Sequence, residues 1–212
     1  MIVHQVKMHC FAANCYLVEN DEKNCVIIDP GMEPEHIVSE IERLGLTPKM
    51  ILLTHAHYDH FSAAPALKAK YPEIKLCLGQ KDVPLLEDAR RNYSATALGR
   101  EVTMHPDETL KEGDTLTLDE LTMTVMETPG HTAGGVTYFC ENAIFTGDTL
   151  FVQNCGRTDM YSSDFMEMVD SLSHLRKIDK NYHMYPGHDQ DGLLFDQFSW
   201  IDNVLERVKK AW

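Results

Sequence analysis

Residues 54–60 read Thr-His-Ala-His-Tyr-Asp-His and follow directly on the apolar run Met50-Ile51-Leu52-Leu53. A buried strand that ends in three imidazoles and a carboxylate has metal binding as its economical explanation, because these are nitrogen and oxygen ligands that divalent ions take. In extended backbone His55 and His57 leave the same side of the chain, so both reach a single ion. Asp59 and His60 come after the extended stretch, where Ser62, Ala63 and Ala64 signal a helix, and are expected to point toward a second ion nearby. The alternative is a solvated polar loop in a chain that holds eleven histidines, and it loses ground as more ligand candidates appear downstream.

With 212 residues, 43% of them hydrophobic, the chain can bury a sizeable core, and it reads as one domain over 1–212. Residues 1–7 carry no basic region followed by an apolar core, and no apolar run approaches the roughly eighteen residues that span a bilayer. The expectation is a cytoplasmic protein with no membrane partner. Cys10, Cys15, Cys25, Cys77, Cys140 and Cys155 show no paired spacing and read as free thiols. Of these, Cys155 is weighed between a redox-sensitive thiol and a buried inert one, with the inert reading favoured. The net charge of -14, with Arg90-Arg91 and Lys209-Lys210 as the densest basic spots, argues against a nucleic-acid partner. A small anion held at a metal stays compatible with it.

Strands are expected at 1–6, 15–19, 24–29, 49–53, 74–78, 115–118, 121–127, 136–140, 143–146 and 183–185, from apolar runs and alternation bounded by turn residues. Helices are expected at 34–45, through Ala66, Leu67 and Ala69 to Tyr71, at 163–175 and at 195–212, where apolar residues recur at three and four. Residues 83–91 suggest one or two helical turns, and 92–106 a surface segment able to border the site. Each half runs strands first and helices after, which fits a two-sheet sandwich flanked by helices.

Further ligand candidates stand where β runs end: His131 in Thr-Pro-Gly-His-Thr, Asp148 in Gly-Asp-Thr, and His188 in Pro-Gly-His-Asp. Each has a glycine beside it, which allows a tight turn and a close approach of backbone to ion. His4, His9, His36, His105, His174 and His183 sit outside these motifs and are read as surface or packing residues.

The ordered set Thr-His-Ala-His-Tyr-Asp-His, Thr-Pro-Gly-His-Thr, Phe-Thr-Gly-Asp-Thr-Leu-Phe and Pro-Gly-His-Asp resembles the metallo-β-lactamase superfamily, specifically its glyoxalase II-like (hydroxyacylglutathione hydrolase-like) branch of short single-domain type. The resemblance implies an α/β fold, a four-layer αββα sandwich with a dinuclear site at one edge. It assigns His55, His57 and His131 to the first ion, Asp59, His60 and His188 to the second, and Asp148 to both. It implies two divalent ions, zinc first with iron or manganese as alternatives. His60 and Asp148 stand where class B β-lactamases usually lack the histidine or carry a cysteine, which argues against antibiotic cleavage.

The implied activity is hydrolysis of a small acyl-thiol or ester through a hydroxide held between the ions, with Asp59 and Asp148 orienting it. Longer glyoxalase II enzymes carry a helical extension with basic residues for glutathione, and here a single helix follows His188, so glutathione recognition is not expected in its usual form. The Phe151 to Asp159 segment instead resembles shorter members in which Gly-Arg-Thr-Asp is common. Arg157 and Phe151 are candidate substrate contacts, although a structural role for Arg157, paired with Asp159 or with backbone, is favoured. A persulfide dioxygenase-like iron oxidoreductase is the alternative, and a phosphodiesterase or nuclease ranks below it.

Overall fold

The computed structural model describes residues 1–10 and 12–211. Trp212, the last residue of the expected closing helix, lies outside them. The elements are β1 (Ile2–Val6), β2 (Cys15–Glu19), β3 (Asn24–Ile28), α1 (Pro34–Leu44), β4 (Thr47–Leu53), α2 (Tyr58–Phe61), α3 (Ala64–Lys70) and β5 (Lys75–Gly79). A 3-10 turn, Gln80–Asp82, leads into α4 (Val83–Leu86) and α5 (Ser94–Ala97), followed by β6 (Glu108–Leu110), β7 (Thr115–Leu118), β8 (Leu121–Glu127), β9 (Val136–Cys140) and β10 (Ala143–Gly147). The chain closes with α6 (Phe165–Arg176), β11 (His183–Pro186), β12 (Gly192–Leu193) and α7 (Leu194–Ala211).

Two six-stranded sheets form, ordered β1-β2-β3-β4-β5-β6 and β12-β11-β10-β9-β8-β7. In the first, β1, β2 and β3 pair antiparallel and β3 to β6 run parallel; in the second only β10 and β11 are parallel. Alternation along the strands divides the apolar residues among three layers. Tyr16, Val18, Val26, Ile28, Leu52, Tyr138 and Phe145 pack between the sheets. Leu17, Ile27, Ile51 and Leu53 face outward onto Ile37, Ile41 and Leu67 of α1 and α3. On the far side Ile144 and Met184 meet Met168, Leu172 and Leu175 of α6 and Leu194 and Ile201 of α7. This is the expected αββα sandwich. Strands β2 and β10 are buried at every position, which is why they read as continuous apolar runs.

The sheets are tied by hydrogen bonds as well as by packing. The Tyr138 hydroxyl donates to the Leu53 carbonyl at 2.7 Å and the Tyr16 hydroxyl to the Pro186 carbonyl at 2.7 Å. Both anchors sit where ligand-bearing loops leave their strands.

Strand β4 begins at Thr47 rather than at Lys49. Pro48 is tolerated because β5 pairs with β4 only from Met50 onward, so the missing N–H lies beyond that ladder. The two-residue strand β12 was not expected from sequence. Between 92 and 106 the chain holds one helical turn, α5, and borders the site as expected. Among the described residues no helix is long and apolar enough to cross a membrane.

Candidate metal centre

The histidine motif leaves β4 at Leu53 and re-enters regular structure at Tyr58, so His55 and His57 lie on a short irregular stretch and Asp59 and His60 on the helical turn α2. The change from extended backbone to helix is what turns the second pair away from the first. His131 follows β8, Asp148 follows β10 and His188 follows β11. All seven residues meet at one edge of the sandwich, in three overlapping groups whose ligand atoms lie within 4.8 Å of one another: His55, His57 and His131; His55, His60 and Asp148; Asp59, His60 and His188.

The hydrogen-bond network fixes which imidazole nitrogens carry lone pairs. Thr54 Oγ1 donates to Asp29 Oδ2 at 2.6 Å, so at its 3.2 Å contact with His55 Nδ1 it accepts, and the proton is on His55 Nδ1. His60 Nδ1 donates to Asp29 Oδ2 at 3.0 Å, and His131 Nδ1 donates to the Arg157 carbonyl at 2.8 Å. In each ring the other nitrogen, Nε2, is left as a lone pair aimed inward. His131 Nε2 lies 2.9 Å from His57 Nδ1. Asp148 sits between the groups, with Oδ1 3.4 Å from His60 Nε2, and Oδ2 3.4 Å from His131 Nε2 and 3.6 Å from His188 Nε2. Asp59 Oδ2 is 3.3 Å from His188 Nε2.

His55 Nε2, His60 Nε2 and Asp148 Oδ1 are buried without a hydrogen-bond partner among the described residues, as is His57 Nε2. Buried polar atoms are rarely left so, and lone pairs converging on a carboxylate repel unless positive charge sits among them. The donor set therefore fits divalent ions, which take imidazole nitrogen and carboxylate oxygen at about 2 Å. Burial, and then the neighbouring imidazoles, push His55 well below its ordinary value and His57 down to about 3, so both rings are neutral. Burial, the largest single effect, opposes charge on Asp148, but His60, His131 and His188 together outweigh it and hold the carboxyl below the usual carboxylate range.

Two buried carboxylates missing from the sequence reading brace this arrangement. Asp29, the last residue of an apolar run, accepts from the Thr54 N–H at 2.8 Å as well as from the Thr54 hydroxyl and His60. Asp82 accepts from Ala56 N–H at 3.0 Å, Thr132 hydroxyl at 2.8 Å and Gly134 N–H at 2.7 Å, tying the two ligand loops together. The carboxylate that ends β3 beside the parallel strand bearing the histidines was a usable signal for Asp29. Asp82 carried none.

The centre opens into a cavity of about 320 Å³ lined by His57, Tyr58, Asp59, Tyr93, His131, Asp148, Arg157, Met160 and His188. A larger surface cleft, about 660 Å³ and bordered by Glu112, Glu127, Glu167 and Asp170, contains none of the seven residues. Arg157 reaches the cavity, but its guanidinium is engaged by Asp159 in a two-point pair at 2.7 and 2.9 Å. Its backbone carbonyl orients His131, and Gly156 N–H donates to the Asp148 carbonyl at 2.9 Å. Phe151, the other expected substrate contact, is buried against His188 at a ring separation of 6.0 Å and does not line the cavity.

The remaining histidines lie away from the centre: His4 pairs with Glu19, His9 with Glu33, His105 with Glu87 and His183 with Asp191; His36 contacts the Lys7 carbonyl, and His174 is exposed. Cys15, Cys25, Cys77 and Cys140 are buried, Cys10 is exposed, and Cys155 is half-buried against the outer core, with burial raising its thiol pKa.

Residues 9–188 match the model of the metallo-beta-lactamase superfamily. A hydroxyacylglutathione hydrolase of Haemophilus influenzae, GloC, is 35% identical over 175 residues, covering 81% of this chain and 82% of that protein. Among solved structures, the B3 metallo-beta-lactamase BLEG-1 superposes with a TM-score of 0.87 at 32% identity, over 93% of this chain and 97% of the other. The protein TTHA1623, solved in a di-iron-bound form, gives a TM-score of 0.81 at 33% identity, over 92% and 96% of the two chains. The chain belongs to the metallo-β-lactamase superfamily and is a metallo-hydrolase of that family.

Proposed function

We propose that this chain, acting as one domain, hydrolyses a small acyl thioester at a dinuclear centre. His55, His57 and His131 hold one divalent ion, Asp59, His60 and His188 hold the other, and Asp148 serves both. The observation that carries the reading is Asp148 Oδ1 and Oδ2 facing His60 Nε2 and His131 Nε2 at 3.4 Å each, a carboxylate set between two groups of imidazole lone pairs. When bound, a pair of divalent ions makes water nucleophilic near neutral pH and polarises the carbonyl under attack.

The protein's own part is positional. Asp29 and the Arg157 carbonyl hold His60 and His131 in one tautomer, so their lone pairs stay aimed inward. Asp59 and Asp148 each turn an Oδ2 toward His188 Nε2, at 3.3 and 3.6 Å, and would orient the attacking water by hydrogen bonding. The cavity is open to solvent, so it takes an acyl arm with the thiol carrier extending outward. With Arg157 engaged by Asp159, the lining offers no free cation for a carrier as anionic as glutathione, which favours a less charged thiol. Zinc suits the imidazole-carboxylate set, as do iron and manganese, the di-iron relative being a case of the former.

The test is metal analysis of the purified protein followed by rates on a thioester, a lactone, a β-lactam and a phosphodiester. Thioester turnover exceeding the others supports the reading. A preference for the β-lactam, the activity named for the BLEG-1 relative, would replace it.

A further inference from the structure

Arg157 stands at the wall of the metal-centre cavity, and among the described residues lining that cavity it is the one cation apart from the imidazoles. It does not stand free. Its Nε donates to Asp159 Oδ1 at 2.7 Å and its Nη2 to Asp159 Oδ2 at 2.9 Å, which occupies one edge of the guanidinium fork. Nη1, on the other edge, enters no hydrogen bond among the described residues. The nearby Arg91 is taken as well: its guanidinium lies over the Tyr161 ring, 5.0 Å from the centroid, and pairs with Asp88 at 3.3 Å. Tyr161 in turn joins this wall, its N–H donating to the Tyr93 hydroxyl at 2.9 Å.

The Arg157 and Asp159 side chains are 66% and 68% exposed, and a pair so open to solvent adds little to stability. What the pair changes is the charge offered to a ligand. Asp159 is two residues along the same loop, so its carboxylate competes for Arg157 at an effective concentration of about millimolar, ahead of a carboxylate arriving on a ligand. That arriving carboxylate also meets the Asp159 charge. A neutral carbonyl oxygen meets no such opposition and accepts from Nη1.

We propose that Asp159 sets the charge of the thiol carrier: by cancelling the charge of Arg157 while leaving Nη1 to donate, it admits a thiol whose outward arm presents an amide carbonyl and turns away one that presents a carboxylate. Asp159 acts through Arg157 and is a positioning residue. This rests on the thioester reading above and deepens it.

The experiment uses the full chain loaded with zinc. S-acetyl mercaptopropionamide and S-acetyl mercaptopropionate, which differ by one charge, are compared in wild type, Asp159→Asn, Arg157→Gln and the double variant. The S-methyl thioethers of both thiols are titrated by calorimetry as a readout that needs no turnover. Wild type is expected to favour the amide. In Asp159→Asn the carboxylate-to-amide ratio of kcat/KM rises about fivefold, the size of one exposed charge pair, through KM and with metal content unchanged, and the gain shrinks at high salt. In the Arg157→Gln background the same change at Asp159 moves the ratio less than about twofold. The thioether affinities follow the same pattern. A wild type that prefers the carboxylate, a rise below about twofold in Asp159→Asn, an equal fall for both substrates, or the same rise without Arg157 overturns the proposal. Absence of thioester turnover in the wild type would remove the thioester reading, while the titrations still decide the role of Asp159.

Discussion

Asp29 Oδ2 lies 3.0 Å from His60 Nδ1, and both residues are buried. A carboxylate fixed behind an imidazole sets its tautomer, aims its other nitrogen and makes it a better ligand. Asp29 itself stands in left-handed backbone, with φ at +46°.

Alanine would be strained there, but asparagine tolerates that backbone, so Asp29→Asn keeps the conformation while it removes the charge and turns one of the two accepting oxygens into a donor. Metal affinity should fall roughly ten- to a hundredfold with the fold retained. Competition titration against a chromophoric chelator measures it; unchanged affinity would mean that His60 needs no brace.

Gly187 abuts the centre so closely that a Cβ on it would stand 2.3 Å from Asp148 Oδ1 and 2.8 Å from His60 Cε1. Gly187→Ala is therefore expected to displace Asp148 and to weaken ion retention at least about tenfold, a loss comparable to removing a supporting contact. Metal content after gel filtration checks this, with circular dichroism confirming that the sandwich persists.

The Tyr138 hydroxyl donates across the sandwich to Leu53, directly before the histidine motif. Tyr138→Phe keeps the ring and leaves a buried carbonyl short of a donor, at a cost of about 1–2 kcal/mol. Urea denaturation should show that loss with metal content little changed.

Glu33 anchors the segment before Ala13 through hydrogen bonds from the His9 and Cys10 N–H groups. Its carboxyl is lowered from 4.5 to about 2, by its hydrogen bond with the Cys10 side chain first and by those with His9 after, against a smaller opposing effect of burial. Because the folded value is the lower one, the stability it contributes is present above about pH 4.5 and is lost as pH falls toward 2. Solvent reaches this group, so the contribution is roughly 1 kcal/mol. The gap in urea midpoint between wild type and Glu33→Ala should be present at pH 7 and shrink by pH 3; a constant gap would contradict it.

The convergence of the seven residues was legible in sequence because most stand near the end of an apolar strand, where spacing along the chain translates into direction in space. The layered architecture was legible for a related reason: strands buried on both faces and helices with one apolar stripe leave few ways to stack. Asp82 was not: it acts through donors on two separate loops, an arrangement that leaves no local pattern. The side of His188 on which Phe151 packs was not legible either, because an aromatic beside such a motif looks the same in sequence whether it faces the cavity or not.

The two-ion centre is tested most directly by counting metal per chain and following thioester hydrolysis through chelation and reconstitution. The expected result is about two equivalents of divalent ion, hydrolysis falling to background on chelation and returning with zinc. Full hydrolysis by metal-free protein, or an intact fold that takes up no ion, would contradict it.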